Sequence, residues 1–107
     1  MTKSDPNSGS SVVTYIFELG LKGDQETCKN FISESGIYTH GCNEPKTTRF
    51  EWYLSADETS ATLFEMFEDS DGAKLRAENL LGNPLIGPFQ ELFEISSFTV
   101  LGPVKII

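Results

Sequence analysis

Few side chains in this sequence are equipped to move protons or electrons, and they are scattered along it. His40 is the single histidine, and histidine alone has an unperturbed pKa suited to proton transfer near neutrality. It stands beside Gly41 and Cys42 in a stretch that reads as a loop. It is therefore either a catalytic proton carrier or an exposed loop residue. Glu51 and Glu65 fall on two adjacent strand-like segments. Facing each other, two carboxylates repel, and one is driven toward its protonated form and becomes a base. The plainer alternative pairs each with Arg49 or with a residue across a dimer. Arg76 cannot act as a base, because a guanidinium stays protonated. It either holds an enolate or carboxylate or pairs with an acidic neighbour at the surface. Asn79, one helical turn further on, offers a hydrogen-bonding amide. Phe50, Trp52, Phe64 and Met66 are either plain core or the wall of a pocket for an aromatic or apolar ligand.

Established catalytic signatures are missing from this set. There is no phosphate-binding loop, no GxSxG and no HExxH, and one histidine cannot complete a meaningful Ser-His-Asp order. The two cysteines, Cys28 and Cys42, have neither CxxC nor zinc-ligand spacing, so no metal site is expected and no disulfide framework either. Cys28 lies on an apolar helical stripe and reads as a small buried thiol. A reduced, cytoplasmic protein is the expectation.

The candidate residues must be held by the run over residues 47–71, TTRFEWYLSADETSATLFEMFEDSD. Phe50, Trp52 and Leu54 alternate with Arg49, Glu51 and Tyr53; Thr62, Phe64 and Met66 alternate with Leu63, Glu65 and Phe67. Period-two alternation of aromatic and β-branched residues predicts two strands, and the polar residues 55–60 supply the turn. Pairing Trp52 with Phe64 sets Phe50 opposite Met66 and Leu54 opposite Thr62, giving one nearly apolar face. The other face, with Arg49, Glu51, Tyr53, Leu63, Glu65 and Phe67, is mixed. Because a one-residue slip exchanges the two faces, the pattern is expected to fix the register. A short sheet that needs cover on both faces, with helices enough for one, predicts a homodimer.

Around this hairpin, residues 12–21 predict a first strand with Val13, Tyr15, Phe17 and Leu19 on one face. Asp24 is a good N-cap for a first helix, with Cys28, Phe31, Ile32 and Ser35 at helical spacing and Gly36 as its stop. Residues 37–46 then form a connecting loop. Asp69 or Ser70 caps a second helix carrying Ala73, Ala77, Leu80 and Leu81, ended by Gly82. Asn83 and Pro84 open a short third helix that reaches Phe93. Residues 95–101 form the last strand, and the apolar residues 104–107 either pack on the protein or extend a neighbouring subunit's sheet edge. The order β-α-β-β-α-(α)-β is the ferredoxin-like α+β pattern with an antiparallel sheet. Residues 1–11 lack an apolar core, so they read as a disordered tail rather than a signal peptide, leaving one domain over residues 12–107.

At 107 residues there is room for one core. The net charge of −8 argues against a nucleic-acid backbone or an anionic membrane as partner. No apolar run is long enough to span a bilayer. A metal-carrier reading needs paired cysteines after the first strand, where the sequence is GLKGDQET.

The segment EWYLSADETSATLFEMFEDSDGAKLRAENL, with the strand and helix before it, resembles the antibiotic-biosynthesis-monooxygenase-like family of dimeric α+β barrels. The matching positions are Glu51 to Ser55, Glu65 to Glu68 and Asp69 to Ala73, and the likeness spans roughly residues 12–102. It implies cofactor-independent oxygenation of an electron-rich aromatic or quinol-type substrate, without metal, flavin or haem. Such a substrate supplies the electrons once deprotonated, so the protein must bind it, desolvate it and accept a proton. Many members carry a histidine on the second helix, near Arg76 here; this helix has none. The alternative is a non-catalytic small-ligand-binding or interaction module on the same dimeric scaffold.

Overall fold

A computed structural model describes residues 10–103. The expected tails over residues 1–11 and 104–107 lie almost wholly outside that range. The elements run β1 (Val13–Leu21), α1 (Gln25–Gly41), β2 (Thr47–Leu54), β3 (Ser60–Phe67), α2 (Ser70–Leu81), α3 (Ile86–Leu92) and β4 (Phe93–Leu101). The four strands form one sheet in the order β2-β3-β1-β4, antiparallel throughout. This is the α+β ferredoxin-like fold. Among the described residues no helix is long and apolar enough to cross a membrane.

Two helix starts follow local chemistry. Asp24 caps α1, its Oδ1 accepting from the Thr27 N–H at 2.9 Å and its Oδ2 from the Thr27 hydroxyl at 2.7 Å. Asp69 caps α2 by accepting from the Gly72 N–H at 3.0 Å. Each cap satisfies a donor that the first helical turn leaves without a partner. Gly72 is required for close packing, since a Cβ there would stand 2.7 Å from Lys46 Cβ.

Three expectations are corrected. First, α1 does not stop at Gly36 but continues to Gly41, placing His40 in its last turn instead of in a loop. A glycine stops a helix by taking positive φ, and among the described glycines only Gly102 does so. Second, α3 ends at Leu92, and Phe93 already begins β4. Third, the β2–β3 register is displaced by one: Trp52 faces Leu63, Phe50 faces Glu65 and Leu54 faces Ala61. Turn chemistry holds this pairing. Ser55 Oγ accepts from the N–H groups of Thr59 and Ser60, and the Ser55 N–H reaches the Ser60 carbonyl.

The faces exchange accordingly. Leu63 and Phe67 are buried on the helix side, together with Val13, Leu19, Cys28, Phe31, Ala61, Ala73 and Phe93. Cys28 is thus the buried thiol its position suggested. Phe64 and Met66 turn to the open side of the sheet, beside Arg49, Glu51 and Tyr53. Glu51 and Glu65 therefore lie on opposite faces and do not form a carboxylate pair. Glu65 enters the core side because α2 supplies a counter-charge there, a partnership that strand periodicity does not encode.

Candidate functional site

Between the sheet and the helices lies a partly open cavity of about 180 Å³. Its floor is Phe17, Trp52, Leu63 and Glu65 on three strands; its roof is Phe31 and Ser35 of α1, Arg76 and Leu80 of α2, and Ile86 and Phe89 of α3. The space exists because the buried stripe of α1 runs Cys28, Phe31, Ser35, Thr39. Its two large or apolar members fill the near end of the core, and the small Ser35 leaves room further along.

Aromatic rings make most of the wall. Phe31 meets Trp52 edge-on at 6.4 Å between centroids, and Phe89 lies 6.2 Å from Phe31. Phe93 braces this group from behind, 5.5 Å from Trp52 and 5.6 Å from Phe89. Such contacts hold the rings in place and present flat apolar surface to anything inside. The indole Nε1 of Trp52 is buried with no hydrogen-bond partner. A buried donor left unpaired costs about 1–3 kcal/mol.

One side of the wall is ionic. Glu65 is 3% exposed, and its Oε1 accepts from Arg76 Nε at 2.9 Å. No donor reaches its Oε2 among the described residues. Arg76 is itself 5% exposed, and its Nη1 reaches Glu44 Oε2 at 3.3 Å. The guanidinium carbon sits 5.1 Å from the centroid of Phe50. Burial drives the Glu65 carboxyl above the usual carboxylate range; Arg76 opposes this shift and the Glu44 charge adds to it. Burial is the largest cause, so Glu65 is a carboxyl that accepts a proton readily although it is salt-bridged. Tyr15, its neighbour on β1, has its hydroxyl pKa raised by burial and by the Glu65 charge.

The residues singled out from sequence are distributed unevenly. Trp52 and Arg76 line the cavity. Asn79 does not, but its Nδ2 donates to Glu44 Oε2 at 2.8 Å and so joins the ionic wall from outside. Phe50 lies under Arg76 and packs at the edge of the core. Phe64 and Met66 are on the far side of the sheet. His40 is exposed and lines a separate, more polar pocket of about 260 Å³ with Thr39, Cys42, Glu44 and Phe50. Sequence reasoning missed Ser35, Phe31, Phe89 and Glu44. Phe31 and Ser35 sit one helical turn apart on a recognised stripe, and that was the available signal. Among the described residues no three His, Cys, Asp or Glu side chains gather in a way that would hold a metal ion.

No protein-family model and no curated protein sequence matches the chain. Solved structures do match. SnoaB from Streptomyces nogalater, a cofactor-independent oxygenase, superposes with a TM-score of 0.67 at 15% identity, covering 91% of this chain and 97% of that one. MupZ from Pseudomonas fluorescens gives 0.69 at 15% identity, over 86% and 72% of the two chains. Rv0793 from Mycobacterium tuberculosis gives 0.62 at 20% identity, over 90% and 98%. The shared fold is that of the antibiotic-biosynthesis-monooxygenase-like proteins, the one the sequence resemblance implied.

Proposed function

We propose that this chain is a cofactor-independent oxygenase that acts, as a homodimer, on a small hydroxylated aromatic or quinol-type molecule bound between sheet and helices. The observation that carries the reading is the aromatic cavity with a buried carboxyl, Glu65, on its wall. A phenol enters neutral and gives its proton to Glu65. The phenolate left in a largely apolar, ring-lined space is electron-rich enough to reduce O2 directly. One oxygen atom goes to the ring carbon and the other leaves as water, so a phenol becomes a quinone without an outside reductant. Trp52 Nε1 supplies a donor for a substrate oxygen. SnoaB, an oxygenase of the cofactor-independent kind, lends support by sharing the fold.

Arg76 serves this site as the fixed partner of Glu65, because its Nε and Nη1 are committed to protein carboxylates. His40 stands outside the cavity, and in this reading it takes no part in the chemistry. A cytoplasmic location accords with the two free cysteines, Cys28 and Cys42.

The test is oxygen uptake across a panel of dihydroxynaphthalenes and anthrone-type quinols. Turnover that Glu65→Gln abolishes and His40→Ala spares is the expected result. A flat trace across the panel, with binding retained, assigns the chain instead to a non-catalytic ligand-binding module on the same scaffold.

A further inference from the structure

The ionic wall of the cavity continues beyond it. Glu44 belongs to the segment between α1 and β2, outside the cavity, yet its side chain is only 3% exposed. Its Oε2 accepts from both Arg76 Nη1 and Asn79 Nδ2, and its Oε1 accepts from the Thr47 hydroxyl at 3.2 Å. Two buried carboxylates, Glu65 and Glu44, thus share one guanidinium. With both ionised, one negative charge in a poorly solvated place has no counter-charge, so the cluster favours binding one proton. Asn79 and Thr47 also donate to Glu44. The donors come from one side only: Glu65 receives the single Arg76 Nε contact.

We propose that Glu44 is a positioning residue for the cavity site, acting through Arg76: by occupying the outer edge of the guanidinium, it leaves Glu65 held by one donor and free to accept a ligand proton. The inference rests on the oxygenase reading for its catalytic meaning, but the linkage between the two carboxyls exists without it. The groups facing Glu65 are few. β1 presents the Tyr15 hydroxyl, α2 presents Arg76, and the segment before β2 presents Glu44. The cavity residues of α1 and α3, Phe31, Ser35, Ile86, Phe89 and Gln90, carry no charge, and β4 contributes Ile95. No other charge lining the cavity competes with the pair.

The linkage is read by NMR on the full chain labelled at the glutamate side-chain carboxyl carbon, with Glu65 identified as the signal lost in Glu65→Gln. Glu44→Gln keeps the shape and removes the charge, so Arg76 then acts on Glu65 alone. The Glu65 midpoint is expected to move to lower pH, and the acid limb of any oxygen-uptake profile to move with it. Glu44→Asp, which withdraws the carboxylate without deleting it, moves the midpoint the same way by less. Asn79→Ala removes a neutral contact to the same carboxylate and leaves the midpoint in place. A midpoint unmoved in folded Glu44→Gln or Glu44→Asp, or moved equally by Asn79→Ala, overturns the proposal. If the midpoint moves as stated while quinol-dependent oxygen uptake stays flat in every variant, the linkage stands and the oxygenase reading falls.

Discussion

Glu65 decides more about this molecule than any other side chain, and its charge state has a stability consequence. Its carboxyl titrates above the usual carboxylate range because burial disfavours the anion. A group whose pKa is raised on folding contributes fully below its unfolded value, and that contribution is lost as pH rises through the folded value. Glu65→Gln removes the penalty, and Arg76 keeps Glu44 as its counter-ion. The variant should therefore melt with wild type at acid pH and above it at neutral and alkaline pH, as followed by circular dichroism. A lower melting temperature at every pH would show that the Glu65–Arg76 pair is net stabilising. Arg76→Met is the opposite case. It strands two buried carboxylates and should cost roughly 3–5 kcal/mol, the range for breaking a buried pair, in a urea titration at neutral pH. That Arg76 pairs with an acidic residue was one of the two readings open in the sequence. That the pairing is buried and joins Glu44 and Glu65 was not legible, because it joins positions on different elements and depends on Glu65 facing inward. Trp52 was legible, since a tryptophan in an alternating strand is a reliable inward residue, although its unpaired Nε1 was not. Trp52→Phe should lower affinity for a dihydroxynaphthalene by a factor matching about 1 kcal/mol, one hydrogen bond.

The helices and strands were readable wherever a local device fixes them. Asp24 and Asp69 were recognisable caps, and both cap. The four strands and the chain order followed from alternation and turn residues. What failed was what depends on distant partners. Gly36 resembles a stop in sequence, yet a helix runs through a glycine when its far half has something to pack on, and Thr39 is buried there. The β2–β3 register depended on whether Glu65 or Phe64 could be accommodated inside, a question answered by α2. The cavity itself is a property of α1: Ser35 is the small residue between Phe31 and the helix end. Ser35→Leu should fill part of that space, keep the fold and weaken ligand binding by about tenfold in calorimetry, since the added side chain and the ligand compete for the same volume in a close-packed interior. Unaltered affinity would place the ligand outside this cavity.

The open face of the sheet bears on the whole molecule. Ile16, Phe64 and Met66 cluster there beside Thr14 and Leu101, and Leu101 is 53% exposed. Arg49 lies over the Phe64 ring at 4.5 Å and makes a two-pronged contact with Glu51, whose carboxylate also accepts from the Tyr53 hydroxyl. An apolar centre with one ordered charged corner is the composition of a protein–protein surface, and this is the face on which the proposed homodimer would form. The face is separated from the cavity by the thickness of the sheet, so the two roles can be dissociated. Phe64→Lys puts a charge at the centre of the proposed interface and touches no cavity residue. It should convert the dimer to monomer in sedimentation and native mass spectrometry while leaving the melting curve of the isolated chain cooperative. Each chain carries a net charge of −8, so the unmodified dimer should tighten as salt screens their repulsion. A Phe64→Lys protein that remains dimeric, or a dimer indifferent to salt, would assign association to another surface. In that case the exposed β4 residues Ile95, Phe98 and Val100 are the remaining apolar strip to test.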